Sequence, residues 1–389
     1  MSRTYDVIVV GAGITGASTA YHLKRCGVER VALFERRSPA AGGTGKSAAI
    51  VRQHYSTALL ARLTQESIGL FLAMPDGIGA DSGYVQSGWC FLVPDTMMDA
   101  ARGNIQLLQS CGIDTRFLEP GEIAKRMPWL NPEDVAGVAY EPNGGYADPV
   151  RTTEAYVKGF RDVGGTLYNN TPVRALLRVG DRVTGILTDD GPIEAGSVVN
   201  SAGPWSKFLA ESASIELELR TVREQDTVWE ARSDRPIPEV SISNAIDAIY
   251  LRPLGQRRFV VGRGFPKEYI DVDPYNYKET ADEEFVSDVQ ARLEHRFPPF
   301  AGARRIDSYA ALYDVTPDWY PFVGPRNGLL GYYDACGGSG HGFKIGAAIG
   351  RHLAYWISEN TVDDDFAGLS YDRLAVDERF VGAYGGNRA

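Results

Sequence analysis

The chain has 389 residues, 44% hydrophobic and 23% charged, with a formal net charge of −10. A chain of this length outgrows one simple core, so two domains are expected. The acid excess argues against nucleic acid or an anionic membrane as partner, since both require a basic surface, but it leaves room for a phosphate-bearing cofactor held at a helix terminus.

Val7 to Val10 read as a buried strand that runs into Gly11-Ala12-Gly13-Ile14-Thr15-Gly16. A helix is expected over 17–25, and a second apolar strand, Arg30 to Phe34, ends on Glu35. Strand, glycine turn, helix, strand and acid form the context that gives G-x-G-x-x-G its meaning. Gly11 permits the tight turn, Gly13 lets a pyrophosphate approach the backbone, and Gly16 lets helix and strand pack closely. The free N–H groups and positive end of the helix face the phosphates. Glu35, about twenty residues on, can accept hydrogen bonds from ribose hydroxyls.

A glycine-rich loop, Gly42 to Ser47, leads to Ile50-Val51-Arg52-Gln53-His54-Tyr55, and a helix is expected over 59–72. Short strands begin near Asp81, among them 88–93, with a helix at 98–111. Gly144 to Pro149 reads as a return to the first domain, followed by a helix over 150–163. Strands at 166–169, 182–187 and 197–200 follow, the last entering Ser201-Ala202-Gly203-Pro204-Trp205. Residues 216 to about 300 are strand-rich, including 250–253 and 258–262. A strand at 329–333 runs through Cys336-Gly337-Gly338-Ser339-Gly340-His341-Gly342-Phe343-Lys344 into a helix at 345–357.

This interleaving predicts an α/β (α+β two-domain) chain. A discontinuous nucleotide-binding domain takes 1–82, 146–215 and 301–389, and a mixed, mainly antiparallel substrate domain takes 83–145 and 216–300. Cys26, Cys90, Cys111 and Cys336 are far apart and form no C-x-x-C pair, so neither a metal site nor a disulfide framework is expected. The first strand starts near residue 5, which leaves no room for a signal peptide, and no apolar run reaches the roughly 18 residues of a membrane span. A soluble, cytoplasmic protein is expected.

The glycine fingerprint, the Asn200-to-Trp205 segment and the Gly338-to-Lys344 segment, in that order, resemble the D-amino-acid-oxidase-type FAD-dependent oxidoreductases, in the branch of sarcosine oxidases (β-subunit-like) and glycine oxidases. The resemblance implies a Rossmann-like FAD-binding domain. It gives the pyrophosphate to Gly11, Gly13 and Gly16, with Ile14 and Thr15 beside them. It gives the adenosine ribose to Glu35, with Arg36 adjacent, and the adenine to the Val173 backbone. Gly45, Lys46 and Ser47 lie against the flavin, and Ala202, Gly203 and Trp205 join the cofactor set. Gly338, Ser339, Gly340, His341 and Gly342 present N–H groups to the flavin N1 and O2 edge. Phe343 and Lys344 open a helix whose dipole stabilises negative charge there.

The resemblance also assigns the substrate carboxylate to Arg52 and Lys344, bidentate fork and point charge. Tyr250 aligns with a pocket tyrosine, and His54 joins the substrate set. Each has an ordinary alternative: an ion pair for Arg52, flavin or solvent contact for Lys344, packing for His54 and Tyr250. Ala311 falls where related oxidases attach FAD through cysteine, so non-covalent FAD is expected. Val260 falls where they carry an oxygen-activating lysine, and Gly264 replaces a nearby histidine.

The implied function is oxidation of a secondary amine or amino acid bearing a carboxylate, of the sarcosine, glycine or N-substituted glycine type. Hydride passes to flavin N5, the imine hydrolyses with C–N cleavage, and O2 becomes H2O2. No general base is required, because two nearby cations favour the neutral amine. The alternatives are a dehydrogenase serving a protein or quinone acceptor, a flavoprotein subunit of a hetero-oligomer, and a nicotinamide enzyme. An oligomer is compatible with all of them.

Overall fold

The computed structural model describes residues 4–232, 236–265, 267–376 and 379–384. Two large sheets organise the chain. In the first, Thr4–Val10 lies at the centre, parallel to Val31–Phe34 on one side and Gly191–Asn200 on the other. Leu329–Cys336 is also parallel to Gly191–Asn200, and Thr166–Tyr168 to Val31–Phe34. Val7 to Val10 and Val31 to Phe34 are buried, as expected of strands covered on both faces.

Register decides what this sheet can do. Val10 pairs with both Phe34 and Asn200, and Asn200 pairs with Asp334. Three strands therefore end nearly level, and the glycine turns after Val10, Asn200 and Cys336 leave from one edge of the sheet. The carboxyl edge of a parallel sheet is where such folds place ligands.

The second sheet is mainly antiparallel, with one parallel pair, Ser241–Asn244 beside Trp89–Val93. This matches the expected mixed sheet. Its boundary differs from the sequence reading. Arg304–Val315 pairs along its length with Arg220–Glu230, so the second sheet continues past residue 300. A small ladder, Ile50↔Tyr146 and Val51↔Gly145, joins the segments where the chain leaves and re-enters the first layer.

The expected helices are present with shifted ends: Ile14–Arg25, Ala58–Ile78, Met98–Ser110, Pro149–Asp162 and Gly342–Glu359. The helix Glu283–Arg296 lies inside the region read as strand-rich. Its buried Val286, Val289 and Leu293 follow helical spacing, but its highly polar remainder hides that pattern. Among the described residues no helix is long and apolar enough to cross a membrane.

The helices Ile14–Arg25 and Gly342–Glu359 cross in close contact. A Cβ on Gly346 would lie 2.8 Å from Ile14 Cγ2, and one on Gly350 would lie 2.6 Å from Ser18 Cβ. Ser18 Oγ donates to the Ala347 carbonyl at 2.7 Å. This contact brings the two helices together just beyond the first and third glycine turns.

Candidate active site

Backbone geometry explains the glycines. Gly11 has φ +102°, and a Cβ there would lie 2.3 Å from the Ser201 carbonyl oxygen, so the first and second turns touch. A Cβ on Gly16 would lie 2.0 Å from the Gly11 carbonyl oxygen. Glu35 stiffens the first turn: Oε2 accepts from Ala12 N at 3.0 Å and Oε1 from Arg37 N at 2.9 Å. The third turn is tied to the second sheet through Asp314, which accepts from Gly337 N at 2.7 Å and Ser339 N at 2.9 Å. Neither helix that follows has an N-cap side chain bonded to it. Thr44 Oγ1 does accept from Ile14 N at 3.2 Å.

These turns border a cavity of about 320 Å³. Gly11, Gly13, Ile14, Thr15, Glu35, Arg36, Lys46, Ser47, Val173, Ala202, Gly203, Trp205, Gly338, Gly340, Gly342 and Phe343 line it. The other expected cofactor residues sit elsewhere. Gly16 and Gly45 serve close backbone packing, a Cβ on Gly45 falling 2.4 Å from the Ala40 carbonyl oxygen. Ser339 and His341 line an adjoining cavity, and Lys344 borders neither. Lys46 directs its ammonium to the loop residues Glu279 at 2.7 Å and Tyr277 at 3.0 Å and to the Ala310 carbonyl of the second sheet at 3.0 Å, so its charge is already engaged.

The cavity wall suits an acceptor-rich dinucleotide. The Arg36 guanidinium lies 3.6 Å above the Trp205 ring centroid, a flat cationic surface at the wall. Trp205 Nε1 is buried without a hydrogen-bond partner. A buried donor left open this way is costly unless a ligand completes it. Ala311 also borders the cavity. So does Cys336, but burial pushes its thiol pKa well up, the opposite of a reactive thiolate.

The adjoining cavity, about 180 Å³, is lined by Arg52, His54, Tyr250, Ser339 and His341, together with an aromatic wall. Tyr313 and Gly340 border both cavities, so the two meet there. Arg52 donates to the His54 carbonyl and lies over the Tyr55 ring, 4.6 Å from its centroid. No carboxylate among the described residues ion-pairs with it. Lys344 is 8% exposed, and its ammonium has no hydrogen-bond partner among the described residues. Burial, then the Arg52 charge, depresses the Lys344 pKa well below its ordinary value.

The histidines are neutral here. Burial, with a smaller contribution from Arg52, lowers the His54 pKa to about 3, and its Nε2 lies 2.7 Å from the Tyr384 hydroxyl. His341 is depressed by burial, Lys344 and Arg52, and its Nδ1 lies 3.2 Å from the Tyr55 hydroxyl. Behind them Glu141 is fully buried, with Oε2 accepting from Gln53 N at 2.8 Å and Oε1 unpartnered. Oε1 is 4.0 Å from His54 Nδ1, but a neutral imidazole makes this no ion pair.

Sequence reasoning missed several groups. Thr44 lay inside the recognised glycine loop and could have been named. Asp226 gave no local signal, since the alternate positions of its strand also carry Arg220, Glu224 and Glu230. Tyr313 and Lys267 reach the second cavity through sheet register and a loop. Tyr384 reaches it from a segment far along the chain, with no local signal. Val260 is buried in the second sheet, where it pairs with Val228 and Arg252. Among the described residues no group of three or more acids, histidines or cysteines could hold a metal ion.

A family model described as "FAD dependent oxidoreductase" matches residues 6–356. The chain is 28% identical to the sarcosine oxidase β subunit of an Arthrobacter species, over 96% of this chain and 91% of that one. It is 25% identical to human mitochondrial sarcosine dehydrogenase over 96% of its length, but spans only 42% of that protein. The crystal structure of L-proline dehydrogenase from P. horikoshii superposes with a TM-score of 0.89 at 24% identity, covering 98% of this chain and all of that one, a likeness of fold.

Glu141 gives the site a pH signature. Burial raises its pKa from 4.5 to about 7, against smaller lowering by the Gln53 N–H and Arg52. The folded state therefore holds a proton that the unfolded state releases, and stability from this group is lost as pH rises from about 4.5 to 7. Glu141→Gln keeps an acceptor for Gln53 and carries no charge. Urea unfolding should show the variant gaining about 3 kcal/mol on the parent between pH 5 and pH 8. A constant difference across that range would contradict a buried, proton-holding Glu141.

Proposed function

The chain belongs to the family of FAD-dependent oxidoreductases, and we propose that it oxidises an amine that also carries a carboxylate, of the sarcosine, glycine or N-substituted glycine type. One observation carries this reading. Arg52 and Lys344 are basic side chains without a carboxylate partner, and Arg52 lines a cavity that opens onto the cofactor cavity, with Lys344 buried close enough for the Arg52 charge to act on it. A substrate carboxylate supplies the missing counter-ion. Arg52 grips it with two parallel N–H groups and Lys344 adds a point charge.

The uncapped helix starts, the glycine turns and Glu35 would hold FAD in the first cavity. FAD, when bound, supplies an acceptor for the hydride leaving the C–H beside nitrogen. The chain's own residues do the rest. Fixing the carboxylate orients the amine, and positioning of this kind contributes several kcal/mol. Trp89, Phe91, Tyr313 and Tyr384 wall the site with aromatic surface. The neutral His54 and His341 add no competing charge. Water then hydrolyses the substrate imine and the C–N bond is cleaved. The sarcosine oxidase β subunit and human sarcosine dehydrogenase support the N-methylglycine class.

We assign the segments of the first sheet to a cofactor domain and those of the second to a substrate domain. We take O2 as electron acceptor, in a cytoplasmic protein that can oligomerise. A protein or quinone acceptor is the second reading, favoured by Val260, which sets an apolar group where the resemblance puts a lysine. FAD binding is non-covalent in this account, because Ala311 offers no nucleophile and Cys336 is held as a buried thiol.

Arg52→Gln and Lys344→Met should each raise KM for the amine about 10- to 100-fold, the worth of a charge-assisted hydrogen bond. The visible spectrum of bound FAD should stay in place. An unchanged KM in both variants would remove the carboxylate clamp. Separately, acid precipitation should leave the yellow colour in the supernatant, and colour carried down with the protein would show a covalent link.

A further inference from the structure

Asp226 and Tyr250 join the two cavities. Glu224 and Asp226 are two apart on the strand Arg220–Glu230 and so share a face. Asp226 pairs with Gly262, and Gly262 pairs with Tyr250 on its other side. Gly262 makes the meeting possible: a Cβ there would lie 2.4 Å from the Tyr250 hydroxyl oxygen and 2.5 Å from Asp226 Oδ1. Across that gap the Tyr250 hydroxyl donates to Asp226 Oδ1 at 2.5 Å. Asp226 borders the cofactor cavity and Tyr250 the substrate cavity. Asp226 is 4% exposed, and Oδ2 accepts no hydrogen bond among the described residues.

A carboxylate buried with a single hydrogen bond weakens a fold, and the charge of the nearby Lys267 ammonium is already met by Glu224 on the same face. Arg52 and Lys344 favour the neutral amine but do not themselves accept its proton, and, departing from the expectation that no base is needed, we propose that Tyr250 and Asp226 form a proton relay that neutralises the ammonium group of the bound substrate. The relay rests on the amine-oxidation reading above. The substrate arrives as an ammonium ion, with a pKa near that of lysine, about 10. With its carboxylate on Arg52 and Lys344, the N–H bond breaks and the electron pair stays on nitrogen. The Tyr250 oxygen takes that proton as its own hydroxyl proton passes to Asp226 Oδ1. Ammonium and carboxylate become amine and carboxylic acid, with no electron gained or lost. The step also removes a positive charge from beside two others.

The surroundings suit a proton acceptor. Burial raises the Asp226 pKa to about 6; the Tyr250 hydrogen bond lowers it, Glu224 raises it and Lys267 lowers it. Glu224 is itself engaged by the Lys267 ammonium. Tyr309, opposite Asp226 on the neighbouring strand, and Tyr313 stay protonated because burial and these acids raise their pKa values. The acceptor is thus ionised at neutral pH and near enough to half-protonation to take a proton.

Two readouts test the relay in the FAD-loaded protein. The first is binding without turnover. 2-Aminoisobutyrate carries the carboxylate and the ammonium but no C–H beside nitrogen. Calorimetry at about pH 8 in buffers of different ionisation enthalpy counts the protons released on binding. Asp226→Asn should release about one proton more than the parent, because the internal acceptor is gone. The second is anaerobic bleaching at saturating sarcosine against pH. The parent rate should hold level above the acid's titration. Asp226→Asn and Tyr250→Phe should fall about 100-fold near neutrality and climb about tenfold per pH unit toward the amine's own pKa. A parent-like proton count and pH profile in both variants would overturn the relay and leave amine oxidation standing. A parent that binds 2-aminoisobutyrate but is bleached by no carboxylate-bearing amine would overturn the oxidation reading and the relay with it.

Discussion

The level ends of three parallel strands set everything else in this molecule. Because Val10, Asn200 and Cys336 finish at one edge of the sheet, turns far apart in sequence meet around one cavity. Two of those turns run directly into helices with no N-cap side-chain bond, and apart from Ile14 N, which Thr44 takes, their starts concentrate N–H groups and positive dipole ends there. The convergence survives only while the helices can cross closely. Gly346 and Gly350 provide that contact, and overpacking such a contact typically costs about 1–3 kcal/mol. The cofactor site is therefore a property of backbone geometry more than of charged side chains, which is why an acidic protein can build it.

The second cavity follows the opposite logic. Here side-chain charge is left deliberately unbalanced. The cavity's Arg52 and the buried Lys344 behind its lining, with neutral histidines and aromatic rings around them, are unfavourable together in the free protein. Burial lowers the Lys344 pKa for that reason. A bound carboxylate relieves the repulsion and restores the ammonium form, so ligand binding and Lys344 protonation reinforce each other. The acids of this region have partners other than Arg52 and Lys344: Glu141 lies behind His54, Glu224 pairs with Lys267, and Asp226 accepts from Tyr250. That separation keeps one side of the cavity anion-binding and the other proton-accepting.

The sequence revealed what is local. The fingerprint around Gly11, the helices that follow the glycine turns and the two-layer interleaving all rest on periodicity and turn chemistry within short windows. The carboxylate-binding pair Arg52 and Lys344 came through resemblance, since nothing local marks either residue. What stayed hidden depends on long-range pairing. Arg304–Val315 joins the second sheet because it finds Arg220–Glu230, far upstream. Asp226 becomes significant only once register sets it opposite Gly262 and within reach of Tyr250. Tyr384 reaches the substrate cavity from beyond the last long helix. Lys46 looked like a cofactor contact in its glycine loop, and only the fold shows its ammonium engaged by Glu279 and Tyr277.

The central claim is that a substrate carboxylate, fixed by Arg52 and Lys344, presents an amine C–H to the cofactor cavity. The most direct measurement is an anaerobic titration of the FAD-loaded protein with glycine, sarcosine and a larger N-carboxymethyl amine, each beside its carboxamide. Bleaching of the flavin by at least one acid, with its carboxamide ineffective at the same concentration, is the predicted result. Equal bleaching by acid and carboxamide, or no bleaching by any of the acids, would contradict the account.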